Sequence, residues 1–399
     1  MAKTVIACRE GRLAHPSARW HVAFIALCGV VGVSGAHAQL ASNASPAEST
    51  SAAVPPASTV RAPSRTAPRG PKWLSVPRVS GRLKAKDLGL VINIADPYSV
   101  EVGESYAAAR GLGPGQVLRV ELPLKPVLTP AEFKSLQTRI EHHFGAATQA
   151  LALAWVTPYA VNCNSITGAL ALGYDAGLCA QTCAPSKLSP YFNAASARPY
   201  TDLKLRPSML LAAKDPATAK HLIERGVKSD HSLALRGGPP VNAYFVITKD
   251  RARSVRAALF PPPGLARGVG VHVRVESTQA LDGADRVLLY ETGLPQVDKL
   301  DTVNWVPGAL ADHLTSFGGQ LDDKGGQMNV LEWISSGATA SYGTVSEPCS
   351  HPQKFPHPQV LLLHYMQGST AIEAYWKSVA WPQQGVFVGE PLAAPFARP

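Results

Sequence analysis

The sequence predicts an α/β fold: a mostly parallel sheet with helices on both faces, built as one elaborated domain behind an export leader and a linker. Three observations predict it. From Lys86 onward, short apolar runs alternate with stretches of helical periodicity. The runs are apolar on both faces, as in strands buried inside a parallel sheet. No second linker interrupts the pattern between residues 86 and 399, so one domain fits better than two.

The leader comes first. Lys3, Arg9, Arg12 and Arg19 give a positive start, Val22 to Val33 form a short apolar run, and Ala36-His37-Ala38 supplies a small-x-small cleavage pattern. Residues 1–38 are therefore read as a signal peptide, with an uncleaved anchor as the alternative. The run is too short for a comfortable span, and no later run is long enough to cross a bilayer. A periplasmic or extracellular location follows. Residues 39–85 are rich in Ala, Ser, Pro and Arg with few large apolar side chains, the composition of a disordered linker.

The body then reads in order. Leu90 to Ile94 is a buried strand, Val100 to Arg110 a helix, and Val117 to Val120 a strand. Thr129-Pro130-Ala131-Glu132 is a helix start with a capping residue, a first-turn proline and a glutamate that closes the box; Phe133, Leu136 and Ile140 mark its buried face. Ala150 to Trp155 is a further apolar strand. Later strands fit Ala243–Thr248, Val271–Val275, Arg286–Tyr290 and Val386–Val388. Helices fit Asp250–Leu259, Ala309–Thr315, Val330–Ser335 and Thr370–Val379.

Loss of the leader removes Cys8 and Cys28 and leaves Cys163, Cys179, Cys183 and Cys349. An even number in an oxidising compartment favours disulfides, and four cysteines allow three pairings. Cys179 and Cys183 lie close in one loop, so they are expected to pair, leaving Cys163 with Cys349. The leader's four basic residues and one acidic residue come off totals of 38 and 28, so the mature chain keeps a basic excess. No basic stripe is interleaved with aromatics, which argues against nucleic acid as a partner. Loose attraction to an anionic envelope surface is the simpler reading of the charge.

The densest polar blocks lie near the C-terminus, where a parallel sheet would gather functional groups at the carboxyl ends of its strands. Asp312 and His313 are adjacent, and His313 and Ser316 share one face of the expected helix, so the histidine could act as a base on a hydroxyl. Glu347 and Glu390 each follow a strand and precede a proline. Cys349, His351 and His357 offer zinc-type ligands, but their spacing matches no closed zinc motif. No cofactor is implied. Asp312, His313, Ser316, Glu347, His351 and Glu390 are expected to line one concave region. Glu373 and Lys377, four apart, are expected to pair on the surface.

These blocks carry a resemblance. The runs Val91–Asp96, Pro158–Asp175, Arg206–Leu211 and Gly308–Phe396 resemble an uncharacterised family of exported bacterial proteins found in species with the exosortase/PEP-CTERM sorting system. A more distant resemblance is to the gingipain-type cysteine peptidases of the caspase-like fold. That resemblance implies a dyad: a His followed by Gly after one strand, and a Cys after the next. None of the twelve histidines here precedes a glycine, and the corresponding late position carries Ser316 with no cysteine nearby. What the resemblance implies is a caspase-like domain without peptidase activity. Its expected role is to bind an envelope protein or glycan in surface or matrix assembly. The alternatives are a hydrolase using His313 with Ser316 or Cys349 with His351, and a purely structural domain held by disulfides.

Overall fold

The structure, a computed structural model, describes residues 72–234, 237–266 and 268–398. The expected leader, and the expected linker up to residue 71, lie outside the described residues. The rest of that linker belongs to the folded body. Leu74 N donates to Gln359 Oε1 at 2.7 Å, Val79 N to Gln367 Oε1 at 3.0 Å and Leu83 N to Glu373 Oε2 at 3.1 Å. Leu83 itself is buried. Unlike the rest of the expected linker, this stretch carries Trp73, Leu74, Val76, Val79 and Leu83, and its backbone groups are satisfied by side chains of the domain.

β1 (Leu88–Asn93) is followed by α1 (Pro97–Arg110), β2 (Val117–Val120), β3 (Val127–Leu128), α2 (Pro130–His143) and β4 (Ala150–Leu153). β5 (Ala160–Val161) and β6 (Asn164–Ser165) form a small side sheet with β3. Then come α3 (Ile166–Leu172), α4 (Ala176–Ala180), α5 (Pro199–Leu203), β7 (Ser208–Leu210) and α6 (Pro216–Ser229). The second half contains β8 (Val241–Ile247), β9 (Gly264–Ala266), β10 (Val271–Ser277), β11 (Val287–Thr292), β12 (Trp305–His313), α7 (Leu331–Ser336) and β13 (Ala340–Thr344). It closes with α8 (Pro358–Met366), α9 (Ala371–Ser378) and β14 (Gly385–Gly389).

Local chemistry starts and stops the helices. Asp96 caps α1 by accepting from Tyr98 N, Pro97 opens its first turn, and Gly111 ends it at φ 63°. Thr129 and Glu132 form the reciprocal capping box of α2. α6 buries Ala219, Leu222, Ile223 and Gly226 along one stripe.

The main sheet has eleven strands in the order β2-β1-β4-β7-β14-β13-β12-β11-β8-β10-β9. All pairs are parallel except β13 with β14 and β9 with β10. Every residue of β1, β4, β7, β11, β13 and β14 is buried, so both faces are covered and the α/β reading holds. The antiparallel β13–β14 contact has a consequence for the site. Strands β2, β1, β4, β7 and β14 point one way, and β13, β12, β11, β8 and β10 point the other. Their carboxyl ends therefore fall on opposite edges of one sheet.

Two expected elements differ. Ala309–Thr315, read as a helix, lies largely in β12, whose last six residues are all buried. A strand buried on both faces shows no two-residue period, and its Ala and Leu content then mimics a helix. Asp250–Leu259 contracts to a single 3₁₀ turn at Val255–Leu259.

Candidate functional site

The edge formed by the carboxyl ends of β11, β12 and β13 holds the most unusual chemistry. β11 ends in Glu291 and Thr292, β12 in Asp312 and His313, and the turn after β8 supplies Arg256. Arg256 Nη2 lies 2.6 Å from Asp312 Oδ1, and Nη1 lies 3.3 Å from Glu291 Oε2, with Arg256 at 2 % exposure and both carboxylates at 0 %. The guanidinium also donates to Thr292 O at 2.9 Å and Pro356 O at 3.2 Å. Neither carboxylate gains an aligned hydrogen bond among the described residues, so Arg256 holds them by charge.

One cation thus faces two buried acids. Burial pushes the Glu291 carboxyl well above its usual range, and the neighbouring Asp312 pushes it further; Arg256 opposes both. Burial also raises Asp312, with Arg256 pulling the other way at closer range. Burial works against the charge on Arg256, but the two acids outweigh it and raise its pKa. The arrangement favours Asp312 as the ionised partner and a proton retained on Glu291.

His313 is fully buried beside this cluster. Its Nε2 donates to Met328 O at 3.0 Å, and its Nδ1 accepts from Trp333 Nε1 at 2.9 Å. These bonds fix the neutral Nε2–H tautomer. Burial lowers the pKa to about 4. With both nitrogens engaged, His313 has no lone pair for a hydroxyl. Ser316 lies in the loop after β12, not on a shared helical face, and its carbonyl accepts from Thr344 Oγ1 at 2.9 Å.

Glu347 and His351 follow β13 at the same edge. Glu347 Oε1 accepts from Cys349 N at 2.7 Å, closing a local turn, and His351 packs edge-on against Trp381. Glu390 departs from this group. It follows β14, so it lies on the opposite edge, where it accepts from Tyr106 Oη at 2.8 Å and from Arg110 Nη2 at 2.6 Å. The six expected residues therefore do not line one region: Glu390 belongs elsewhere, and Asp312 and His313 are sealed beneath the surface.

All four cysteines of the body are paired, but Cys163 joins Cys179 and Cys183 joins Cys349, each with Cα atoms 5.2 Å apart. The expected pairing is overturned by α4. Asp175 caps that helix and turns Cys179 back toward the β5–β6 corner, where Cys163 N lies 3.4 Å from Cys179 Sγ. The segment after α4 then carries Cys183 to the loop after β13. With Cys349 oxidised, it serves neither as a nucleophile with His351 nor as a zinc thiolate with His351 and His357. Among the described residues, no group of three His, Cys, Asp or Glu side chains is placed to hold a metal ion.

Glu373 and Lys377 are also relocated. Both are 0 % exposed, with Lys377 Nζ 4.0 Å from Glu373 Oε1, so the expected surface pair is an interior one. Glu373 is occupied in capping α9 at Thr370 and in anchoring Leu83 N.

Beside the Arg256 turn lies an apolar cavity of about 390 Å³, walled by Val255, Leu259, Phe355, Ser378 and Ala380, with His357 as its ionisable group. Burial lowers the His357 pKa. The cavity suits an apolar group that brings one polar atom to the imidazole. Sequence reasoning missed Arg256 and Glu291. The available signal was Glu291 itself, a lone acid closing the apolar run Val287–Tyr290, since a charge in a buried strand requires a partner. Comparison of the chain with family models, with curated proteins and with solved structures yields no match.

Proposed function

We propose that this protein is an exported, caspase-like α/β domain without peptidase activity, which binds an envelope protein or glycan in surface or matrix assembly. One observation carries the reading. The gingipain-type resemblance places a dyad after two neighbouring parallel strands, here β11 and β12. Those strand ends carry Glu291-Thr292-Gly293 and Asp312-His313, locked into a buried ion cluster and a doubly bonded imidazole. A nucleophile–base pair needs an accessible base with a free lone pair, and neither strand end offers one. The disulfides support an oxidising compartment. The cavity beside His357, walled by late loops, is the place for a partner's apolar group.

The hydrolase alternative is weaker on the same geometry, because His313 is saturated and Cys349 is in a disulfide. The test is to treat the purified protein with broad serine- and cysteine-directed covalent probes and map any adduct by mass spectrometry. No adduct at Ser316 or Cys349, together with no cleavage of unfolded protein substrates, is expected. A stoichiometric adduct at either residue would overturn the binding-domain reading.

A further inference from the structure

On the opposite edge from the Arg256 cluster, three adjoining cavities of about 810, 440 and 460 Å³ meet around Arg398. Besides Arg110, which is paired with Glu390 and Asp230, the Lys and Arg residues of their walls are Arg78, Arg82, Lys84, Arg286 and Arg398. Among the described residues that line these cavities the acid is Asp230, which is already bound to Arg110 and to Ala394 N. The groove is thus cationic along its length, and low-dielectric walls focus such a field.

Two of the five side chains are held in place. Arg286 donates to Pro239 O at 2.9 Å and Pro240 O at 3.1 Å, and Arg82 reaches Arg398 O at 3.4 Å. Arg78, Lys84 and Arg398 are exposed. Between the cations the walls are apolar, from Leu233, Leu265, Met366 and Phe396. We infer that this groove binds an acidic polysaccharide, a chain of carboxylate-bearing sugars. Guanidinium forks match carboxylates in charge and geometry. The apolar walls suit the C–H faces of sugar rings, which a bare polyphosphate lacks. This inference deepens the glycan-binding part of the proposed function but does not rest on its caspase-like part, since no residue of β11 or β12 lines the groove.

The test measures binding of the intact protein to polygalacturonate, to polyphosphate of matched charge, to neutral dextran and to anionic phospholipid vesicles, at low and high salt. Polygalacturonate is expected to bind most tightly, and binding should weaken as salt rises. The Arg78→Gln/Arg398→Gln variant should lose about tenfold or more in affinity with an unchanged melting temperature. The Lys134→Gln/Lys324→Gln variant removes the same charge outside the groove and should bind as the wild type does. Equal losses in the two variants would reduce the effect to net charge and overturn the site. Tighter binding of polyphosphate or vesicles, or no binding of polygalacturonate, would overturn the assignment of an acidic polysaccharide.

Discussion

The indole N–H of Trp333 donates to Nδ1 of His313 at 2.9 Å, inside a core that water does not reach. This bond makes the histidine at the end of β12 a structural acceptor and excludes it as a free base. It also makes stability depend on pH. The folded pKa is lowered from 6.5 to about 4, so between those values the unfolded chain binds a proton that the folded chain refuses. The contribution is fully present above pH 6.5 and is lost as pH falls toward 4, on the order of 3 kcal/mol in all. Raised carboxyls such as Glu291 act in the opposite sense, so the effect is read as a difference. His313→Gln should be less stable than wild type at pH 7 in urea unfolding, and the gap should narrow as pH approaches 4. A gap that does not change with pH would mean that the fold does not lower the imidazole pKa.

The Arg256 cluster separates its two acids. If Glu291 keeps its proton, Glu291→Gln replaces one neutral group with another of similar shape, and should cost less than about 1 kcal/mol. Asp312→Asn removes the ionised partner at 2.6 Å from Arg256 Nη2 and should cost about 3–5 kcal/mol, as should Arg256→Met. Chemical denaturation of the three variants at pH 7 orders them. Equal losses for Glu291→Gln and Asp312→Asn would assign the charge to both acids.

The disulfides close loops of very different length, with sequence separations of 16 and 166. In the chain-entropy account, the longer closure restricts the unfolded state more, by about 5 kcal/mol against about 3 kcal/mol. Cys183→Ser/Cys349→Ser should therefore lower the unfolding free energy more than Cys163→Ser/Cys179→Ser. Peptide mapping without reduction checks the pairing itself. A Cys179–Cys183 peptide would contradict the structure.

What the sequence made legible was local. The Thr129–Glu132 box, the buried face of α2 and the strands at β1, β8, β10 and β11 depend on neighbours within a few residues, and they form where spacing placed them. Burial was less legible. The four-residue spacing of Glu373 and Lys377 identifies a shared helical face, but not that α9 lies wholly inside the body. Strand direction was not legible at all. The expectation that Glu390 joins His313 assumed that every late strand points the same way. β14 pairs antiparallel with β13 and carries Glu390 to the far edge. Nothing in Gly385–Gly389 encodes that choice, because a strand buried on both faces has the same pattern in either direction.

At that far edge, Glu390 is the clasp of a second ion cluster, and Gly226 is what makes room for it. Arg110 grips the carboxylate with Nε at 2.9 Å and Nη2 at 2.6 Å, while Tyr106 Oη donates at 2.8 Å. A Cβ added to Gly226 would lie 2.4 Å from Glu390 Cγ and 2.6 Å from Oε2, so the carboxylate or the helix would have to move. Gly226 sits inside α6, where replacing glycine by alanine ordinarily stabilises by about 1 kcal/mol. Here the sign should reverse. Gly226→Ala is expected to cost about 1–3 kcal/mol, because the displaced glutamate is buried and bidentate and has no other place to go. Glu390→Ala should also destabilise, by leaving Arg110 with Asp230 alone. Much of the Gly226→Ala penalty should vanish in the Glu390→Ala background, since most of the clashing atoms are then gone. A double-mutant cycle on melting or urea unfolding reads the coupling directly. Strict additivity of the two substitutions would show that Gly226 and Glu390 do not meet, and would remove the packing reason for glycine at this turn of α6.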